Sequence, residues 1–258
     1  MKNIRVAAII PARMNSSRYP GKPLIEIEGL PMIEHVRRRV LLCNKFSDVV
    51  VATCDNEIKD VVENFGGRVI MTKNTHIMAS DRVAEAVIKL ECSHVVNVQG
   101  DEILVLPDDL TKMIDAIKIN PNIEYLNATA PIENISEMKN SAIVKCILSN
   151  SGRIIYCDRD FSHLNLSHPF SPVFKILGIL GYSKKSVLNF SSLKRTDIEK
   201  TQSIDQSRVI ENDLELFSVP FKNGYPGIND EREEKIVRKI LQSDQEQSNI
   251  LNKILTSF

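Results

Sequence analysis

Residues 6–39 read VAAIIPARMNSSRYPGKPLIEIEGLPMIEHVRRR, and this stretch decides the fold of the chain. The apolar run Val6–Ile10 predicts a buried strand that ends at Pro11. A polar loop follows the strand. A segment with apolar residues at helical spacing then begins at Pro31 and predicts a helix. A strand, a loop and a helix in this order are typical of an α/β protein.

The loop between this strand and helix concentrates positive charge, because it carries Arg13, Arg18 and Lys22. Hydroxyl, amide and glycine residues accompany the cations at Asn15, Ser16, Ser17 and Gly21. Cations neutralise phosphate oxygens, and free loop N–H groups can donate to them. Taken singly, each cation would more often be a solvated surface charge. Their concentration at the carboxyl end of a strand predicts a polyphosphate site, although the loop matches neither GxxxxGK[ST] nor GxGxxG.

Strand and helix patterns alternate through the first half of the chain. Further strands are predicted at 48–53, 68–72 and 94–99, with helices that start at Asp55, at Ser80 as a cap, and at 106–119. This alternation predicts a mostly parallel sheet with helices on both faces.

The second half is predicted to contain shorter, antiparallel strands. The segments TAPI, AIVKCILSN, GRIIYCDR, KILGILGYS and LELFSVPF have strand character, residues 183–217 have helical character, and residues 230–255 predict one terminal helix. The length of 258 residues and the lack of a linker favour a single domain over 1–258.

Composition limits the partners and the compartment. Lys plus Arg and Asp plus Glu both number 33, so no global cationic field favours nucleic acid or membrane surfaces. Five scattered cysteines without metal-ligand spacing predict reduced thiols. The N-terminus has neither a signal-peptide pattern nor an apolar span of membrane length. We therefore expect a cytoplasmic protein without membrane insertion.

The second informative segment is VVNVQGDE, residues 95–102. A buried strand delivers Gln99, Gly100 and Asp101 to the same sheet edge as the cationic loop. A carboxylate there can hold a Mg²⁺ ion that bridges phosphate oxygens, and Gly100 allows close backbone approach. The alternative is a turn in which Asp101 caps the next segment. Beside a phosphate loop, the segment predicts nucleotidyl transfer.

The segment THIMASDR, residues 75–82, is the third candidate element. His76, Ser80 and Arg82 could contact a base or sugar, although a helix cap beside a surface arginine explains the same residues. The other histidines, His168 among them, are isolated and are interpreted as structural or exposed. The basic triplet Arg37–Arg39 is interpreted as a solvated or partner-facing patch on a helix.

Together these segments resemble a known family. PARMNSSRYPGKPL, GLPMIEHV, HIMASDRVAEAV and VNVQGDE are similar, in this order, to the 3-deoxy-manno-octulosonate cytidylyltransferases, or CMP-Kdo synthetases. The resemblance continues through IVKCIL, Tyr156-x-x-Arg159, LGILGY, DQSRVI and PGIND. It implies a Rossmann-like nucleotidyltransferase fold with a small antiparallel sugar-binding and dimerisation portion at about residues 128–220, and a homodimer.

The implied reaction transfers CMP from CTP to the anomeric hydroxyl of an acidic 2-keto sugar with Mg²⁺, and releases pyrophosphate. The resemblance assigns catalysis to Arg13, Lys22 and Asp101. It assigns nucleotide binding to Pro11, Ala12, Arg13, Arg18, Lys22, Ser80, Arg82, Gln99 and Gly100. It assigns sugar binding to Gln99, Tyr156, Arg159, Gly178, Asp205 and Gln206, and metal binding to Asp101 with Asn229 or Asp230.

The chain departs from the family pattern at several positions. Ile176 and Leu180 stand where the family has a histidine and a tyrosine that face the sugar, and Asn229 stands where it has an aspartate. Retained Arg159 and Arg208 favour an acidic acceptor. The alternatives are therefore a different acceptor, such as an amino-Kdo, another nonulosonate or a phosphonate, or a catalytically inactive nucleotide-binding homologue.

Overall fold

The computed structural model describes residues 4–16, 18–161, 163–164, 166 and 170–258, so Ser17 and His168 lie outside it. The strands in the described residues are β1 (Val6–Pro11), β2 (Glu26–Ile27), β3 (Leu30–Pro31), β4 (Asp48–Thr53), β5 (Arg68–Met71), β6 (His94–Val98), β7 (Tyr125–Pro131), β8 (Lys145–Leu148), β9 (Ile154–Asp158), β10 (Val173–Ser183) and β11 (Leu216–Pro220). The helices there are α1 (Met32–Leu42), α2 (Asn56–Asn64), α3 (Ala79–Ile88), α4 (Pro107–Ile119), α5 (Ile135–Lys139), α6 (Lys184–Ser192), α7 (Asp197–Gln202), α8 (Asp205–Glu211), α9 (Glu231–Ser243) and α10 (Gln245–Thr256). The chain forms two compact units, residues 1–114 with 225–258 and residues 115–224.

The first unit contains parallel strands in the order β6, β1, β4, β5. All six residues of β1 are buried, as a central parallel strand with an uninterrupted apolar sequence requires. Helices α1, α2 and α3 pack against these strands. Because the strands run in one direction, the loops that leave β1, β4 and β6 emerge at the same edge. The predicted α/β class with a mostly parallel sheet is confirmed.

The basic triplet Arg37–Arg39 is buried on α1, so its interpretation as a solvated or partner-facing patch is wrong. Arg37 forms a two-point ion pair with Glu34, both contacts at 2.7 Å. Arg38 donates to the carbonyl of Ile254 on α10 at 2.7 Å. The triplet is buried because a carboxylate on its own helix and acceptors on α10 replace its water.

The second unit mixes strand directions. β10 runs antiparallel to β7 and β8, β8 runs antiparallel to β9, and β11 runs parallel to β7. A β-bulge interrupts the pairing of β10 with β7 between Ile176 and Leu180. The antiparallel character predicted for this half is confirmed. The unit contains the predicted sugar-binding and dimerisation portion of about 128–220, whose role stays a prediction, as does the assignment of 1–258 to one domain.

Two helix predictions need correction. Residues 183–217 form the three short helices α6, α7 and α8, and the last residues of that range already belong to β11. The predicted terminal helix is two helices, because Asp244 ends α9 and its side chain accepts a hydrogen bond from Gln247 N at 3.0 Å to start α10. Both errors arise where a capping residue interrupts an apolar periodicity that otherwise continues.

Candidate functional site

A cavity of about 290 Å³ lies in the first unit, where β1 and β6 end. Most of the predicted site residues of the first unit line this cavity. Those in its wall are Pro11, Ala12, Arg13, Arg18, Lys22, Arg82, Gln99, Gly100, Asp101 and Asn229. The candidate His76 also lines the cavity. Five further residues of the wall were not predicted as site residues: Ser16, Pro23, Met32, Met78 and Ala79. Of these, Ser16 lies in a segment whose polarity was noted, whereas the apolar members carry no local signal.

The loop after β1 is organised by the backbone carbonyl of Met14. The Met14 carbonyl accepts hydrogen bonds from Ser16 N at 2.9 Å and from Gly21 N at 3.1 Å, which draws the two ends of the loop together. Gly21 has φ 74°, a left-handed conformation that favours glycine. The chain then enters a single 3₁₀ turn at Lys22. This turn places the Lys22 side chain in the cavity wall.

Each of two loop cations contacts a residue that was predicted to bind metal. Lys22 Nζ lies 2.7 Å from Asp101 Oδ2, and both side chains are half-buried, at 13% and 21% exposed. Arg18 Nη2 donates to Asn229 Oδ1 at 2.8 Å. The cationic loop and the predicted metal-binding oxygens therefore form one polar cluster. Such a cluster can neutralise a polyphosphate and hold a hard cation beside it.

Gly100 allows the segment after β6 to approach β1. A Cβ atom at position 100 would lie 2.8 Å from the carbonyl oxygen of Pro11, closer than real Cβ atoms come. The backbone of Asp101 in turn packs on the segment before α9, where Ile228 N donates to Asp101 O at 3.2 Å. A Cβ atom at Gly227 would lie 2.9 Å from that same oxygen. These two glycines allow Asp101 and Asn229 to reach the same cavity.

Asp230 has a structural contact of its own. Its Oδ1 accepts hydrogen bonds from Arg232 N at 2.8 Å and Glu233 N at 3.0 Å, and so caps α9. These N–H groups, that of Glu233 above all, lower the pKa of Asp230. Asn229, not Asp230, lines the cavity. Of the two metal candidates left open by the sequence, the geometry favours Asn229.

The start of α3 contributes the other wall of the cavity. Arg82 is buried, and its guanidinium donates to Thr72 Oγ1 and, at 3.4 Å, to Cys54 Sγ. Ser80 is also buried but does not line the cavity. It does not cap α3 as predicted: the helix begins at Ala79, and the Asp81 carboxylate accepts the Met78 N–H at 3.3 Å. The carboxylate of Asp81, one position after Ser80, therefore accepts the hydrogen bond at the start of α3.

The loop that enters α3 is held by Glu85. Its Oε2 accepts from Lys73 N at 3.0 Å and lies 2.5 Å from His76 Nε2. Burial favours a higher pKa for Glu85, but the hydrogen bonds from Lys73 N–H and His76 outweigh it and lower the pKa. Glu85 therefore remains a carboxylate that fixes the His76 ring at the cavity.

Five of the six predicted sugar residues, all except Gln99, belong to the second unit. Gln206 is buried, and its Nε2 donates to Asn127 Oδ1 at 2.7 Å. Asn127 Nδ2 donates to Leu177 O at 2.9 Å, inside the β10 bulge that contains Gly178. The sequence analysis missed Asn127, because an asparagine within a strand has no distinctive local pattern. Asn127 links Gln206 to the bulge beside Gly178.

The two second-unit arginines that the sequence analysis connected with an acidic acceptor have structural partners. The Arg159 guanidinium donates to the carbonyl oxygens of Ser141, Ala142, Gln202 and Ser203 at 2.8–3.3 Å. Arg208 forms a buried ion pair with Glu199 through contacts of 2.5 and 2.7 Å. Glu199 therefore neutralises Arg208 in this structure, and a role of Arg208 toward an acidic acceptor stays a prediction. Tyr156 is exposed, and its hydroxyl donates to Asp158 at 2.5 Å.

The structure is that of an α/β protein with a cavity lined by cations at one sheet edge, and comparison with known proteins gives its family. The cytidylyltransferase family model matches residues 7–216. The chain belongs to this family.

Two curated relatives have similar identity to the chain. It is 36% identical over 222 residues to a 3-deoxy-manno-octulosonate cytidylyltransferase of Thermodesulfovibrio yellowstonii, covering 81% of this chain and 87% of the relative. It is 36% identical over 214 residues to an 8-amino-3,8-dideoxy-manno-octulosonate cytidylyltransferase of Shewanella piezotolerans, with the same coverage of 81% and 87%. The chain is thus equally similar to proteins named for two different acceptors.

A solved structure of CMP:2-keto-3-deoxy-manno-octonic acid synthetase complexed with CTP superposes with a TM-score of 0.86 at 29% identity. The match covers 93% of this chain and 99% of that one. The suspected family resemblance is confirmed. Among the described residues, no helix combines the length and apolar character needed to cross a bilayer, and the five cysteines form no disulfide.

Proposed function

We propose that the protein transfers CMP from CTP to the anomeric hydroxyl of 3-deoxy-manno-octulosonate or a closely related acidic 2-keto sugar, and releases pyrophosphate. One observation carries the proposal: Arg13, Arg18 and Lys22 line the same cavity as Asp101, in a chain of the cytidylyltransferase family. The intact set of cations and the carboxylate argue against a catalytically inactive homologue.

The residues of the cavity have distinct tasks in this reaction. The hydroxyl oxygen of the sugar attacks the α-phosphorus of CTP, the bond from that phosphorus to the pyrophosphate oxygen breaks, and the hydroxyl proton passes to water. Arg13, Arg18 and Lys22 bind phosphate oxygens and neutralise the charge that grows on the departing pyrophosphate. The loop fixes the triphosphate so that the sugar oxygen can approach in line. No covalent enzyme intermediate is required.

Mg²⁺ is the cofactor that we propose, and the donor set fits it. Asp101 supplies a carboxylate and Asn229 an amide oxygen on one cavity wall, both hard oxygen ligands. Among the described residues, no group of three or more His, Cys, Asp or Glu side chains could hold a metal. A site of few protein ligands suits Mg²⁺, which keeps several waters and binds substrate phosphates. When bound, the ion would polarise the α-phosphate and neutralise phosphate charge.

The residues that the family resemblance assigns to the acceptor remain a prediction: Gln99, Tyr156, Arg159, Gly178, Asp205 and Gln206. Apolar Ile176 and Leu180 flank the bulge of β10, so the sugar contacts in this chain differ from those that the family resemblance implies. The sugars for which the two relatives are named differ at C8, where the sugar of the second relative carries an amino group. A homodimer and a cytoplasmic location are further parts of the proposal, and the product would supply lipopolysaccharide biosynthesis.

The test measures pyrophosphate release from CTP and Mg²⁺ with a panel of acceptors. The panel contains Kdo, 8-amino-Kdo, sialic acid and no sugar, with UTP in place of CTP as the nucleotide control. Release with Kdo or 8-amino-Kdo, and not with UTP, is the expected result and also identifies the preferred acceptor. Release with sialic acid alone, or equal release without sugar, would contradict the proposal.

A further inference from the structure

Two loops of the first unit run side by side because their strands pair in parallel. The pairing of β1 with β4 ends at Pro11 opposite Ala52, and Ala12 N extends it by donating to Ala52 O at 2.9 Å. Met14 and Asp55 each lie three residues beyond this last strand pair. Met14 N donates to Asp55 Oδ2 at 2.8 Å. The second loop therefore provides an anion that binds the backbone of the cationic loop.

Asp55 occupies the N-cap position of α2, yet its side chain makes no capping hydrogen bond there. An aspartate at this position ordinarily accepts an N–H of its own helix, a contact that stabilises the helix. Here the carboxylate contacts the other loop instead, while Asp55 N donates to Thr53 Oγ1 at 3.1 Å. The absent cap indicates that Asp55 serves the cationic loop rather than α2.

The N–H that Asp55 accepts belongs to Met14, the residue whose carbonyl organises the cationic loop. Met14 O accepts from Ser16 N and Gly21 N, so both polar groups of this residue are used to shape the loop. Lys22 follows Gly21 directly and lies 2.7 Å from Asp101. A hydrogen bond that fixes the backbone of Met14 therefore helps to fix the approach of Lys22 to the cavity. Asp55 itself is not in the cavity wall.

We propose that Asp55 is a positioning residue, whose carboxylate holds the Met14 N–H so that the cationic loop is already arranged for a nucleoside triphosphate. This inference rests on the proposed function for the identity of that nucleotide. A negative charge close to a polyphosphate would by itself weaken binding. If Asp55 acts by positioning the loop, its replacement should weaken nucleotide binding. If Asp55 acts only through its negative charge, its replacement should strengthen nucleotide binding.

The experiment compares Asp55→Ala with Asp55→Asn, which loses the charge but keeps an oxygen acceptor. Asp60→Ala is the matched control, because Asp60 is an exposed carboxylate on the same helix. CTP affinity is measured by calorimetry without acceptor, and exchange of the Met14 amide hydrogen is measured by NMR. Asp55→Ala should weaken CTP binding about tenfold or more and accelerate Met14 exchange, since the acceptor for the Met14 N–H is lost. Asp55→Asn and Asp60→Ala should stay within about threefold of wild type.

Three results would overturn the inference: unchanged CTP affinity in Asp55→Ala, equal weakening in the alanine and asparagine variants, or tighter binding in both. If Asp55→Ala does not fold, Asp55→Ser replaces it. The serine hydroxyl can still cap α2 but is too short to reach Met14 N, and it should weaken CTP binding as alanine does. Kinetics add a further check, because the CTP KM should rise more than kcat falls.

The binding and exchange measurements need no sugar. If the wild-type protein binds CTP but releases pyrophosphate with none of the acceptors, the proposed function fails. The binding and exchange measurements still test the role of Asp55 in that case.

Discussion

Replacing Lys22 by alanine removes an ammonium group that lies 2.7 Å from Asp101 Oδ2 at the cavity wall. In the proposed reaction, this group binds phosphate oxygens of CTP. Its loss should therefore weaken CTP binding and leave the binding of the sugar almost unchanged. The same substitution also removes the ion pair with Asp101, so its effect on stability must be considered separately.

The two effects differ in size. A hydrogen bond between charged groups contributes about 1.5–3 kcal/mol, so the loss of a Lys–phosphate contact should weaken CTP binding by about 10- to 150-fold. The ion pair in the free protein involves side chains that are 13% and 21% exposed, so water still screens it in part. Partly solvated pairs contribute about 1 kcal/mol or less to folding. We expect a large loss of affinity with a small change in the free energy of unfolding.

The assay measures CTP affinity by calorimetry, steady-state KM for both substrates, and the free energy of unfolding by urea denaturation. Lys59→Ala is the control, since it removes the same charge from a lysine that pairs with Glu63 at 3.7 Å on the exposed side of α2. A double-mutant cycle with Asp101→Ala separates the phosphate contact from the ion pair. The reasoning is refuted if Lys22→Ala changes only the KM of the sugar, or if Lys59→Ala weakens CTP binding equally.

Three further predictions concern the site and its support. Asp101→Ala should abolish turnover while the protein stays folded, because it removes a proposed metal ligand; near-wild-type rates at saturating Mg²⁺ would show that assignment to be wrong. Gly100→Ala should destabilise the protein by about 1–3 kcal/mol, since the new Cβ would lie 2.8 Å from Pro11 O, and unchanged thermal unfolding would contradict this. Burial lowers the pKa of His35 from 6.5 to about 4, so the folded state binds fewer protons than the unfolded state between these values. Stability should therefore fall as pH drops from about 6.5 to about 4, by on the order of 3 kcal/mol. If the His35→Gln variant lost the same stability over this pH range, His35 would be excluded as the cause of the loss.

Local patterns in the sequence predicted the cavity well. The cations of the first loop and the residues after β6 follow apolar strands directly, and parallel pairing brings such positions to one edge. Lys22 and Asp101 are separated by 79 positions yet lie in contact, as their places after two paired strands predicted. This part of the prediction needed no knowledge of individual side-chain contacts.

The partners of other polar side chains could not be predicted in this way. Arg39 was interpreted as a surface charge because its acceptor, Gln247, lies on a helix 208 positions away. Arg208 was connected with the acceptor because the DQSRVI pattern does not show that Glu199 neutralises it. Asp55 looked like an ordinary helix start, and only the structure shows that its carboxylate contacts Met14. In each case, tertiary packing determines the hydrogen-bond partner, and the local sequence pattern does not show it.

The most direct test of the proposed reaction is identification of its products as they form. ³¹P NMR of CTP, Mg²⁺ and Kdo or 8-amino-Kdo with the protein should show a new CMP–sugar diester resonance and pyrophosphate, formed in equal amounts. Mass spectrometry should give the mass of the CMP–sugar, and Asp101→Ala should form neither product. Free CMP or CDP as the first product, or pyrophosphate without a CMP–sugar diester, would contradict the proposed transfer.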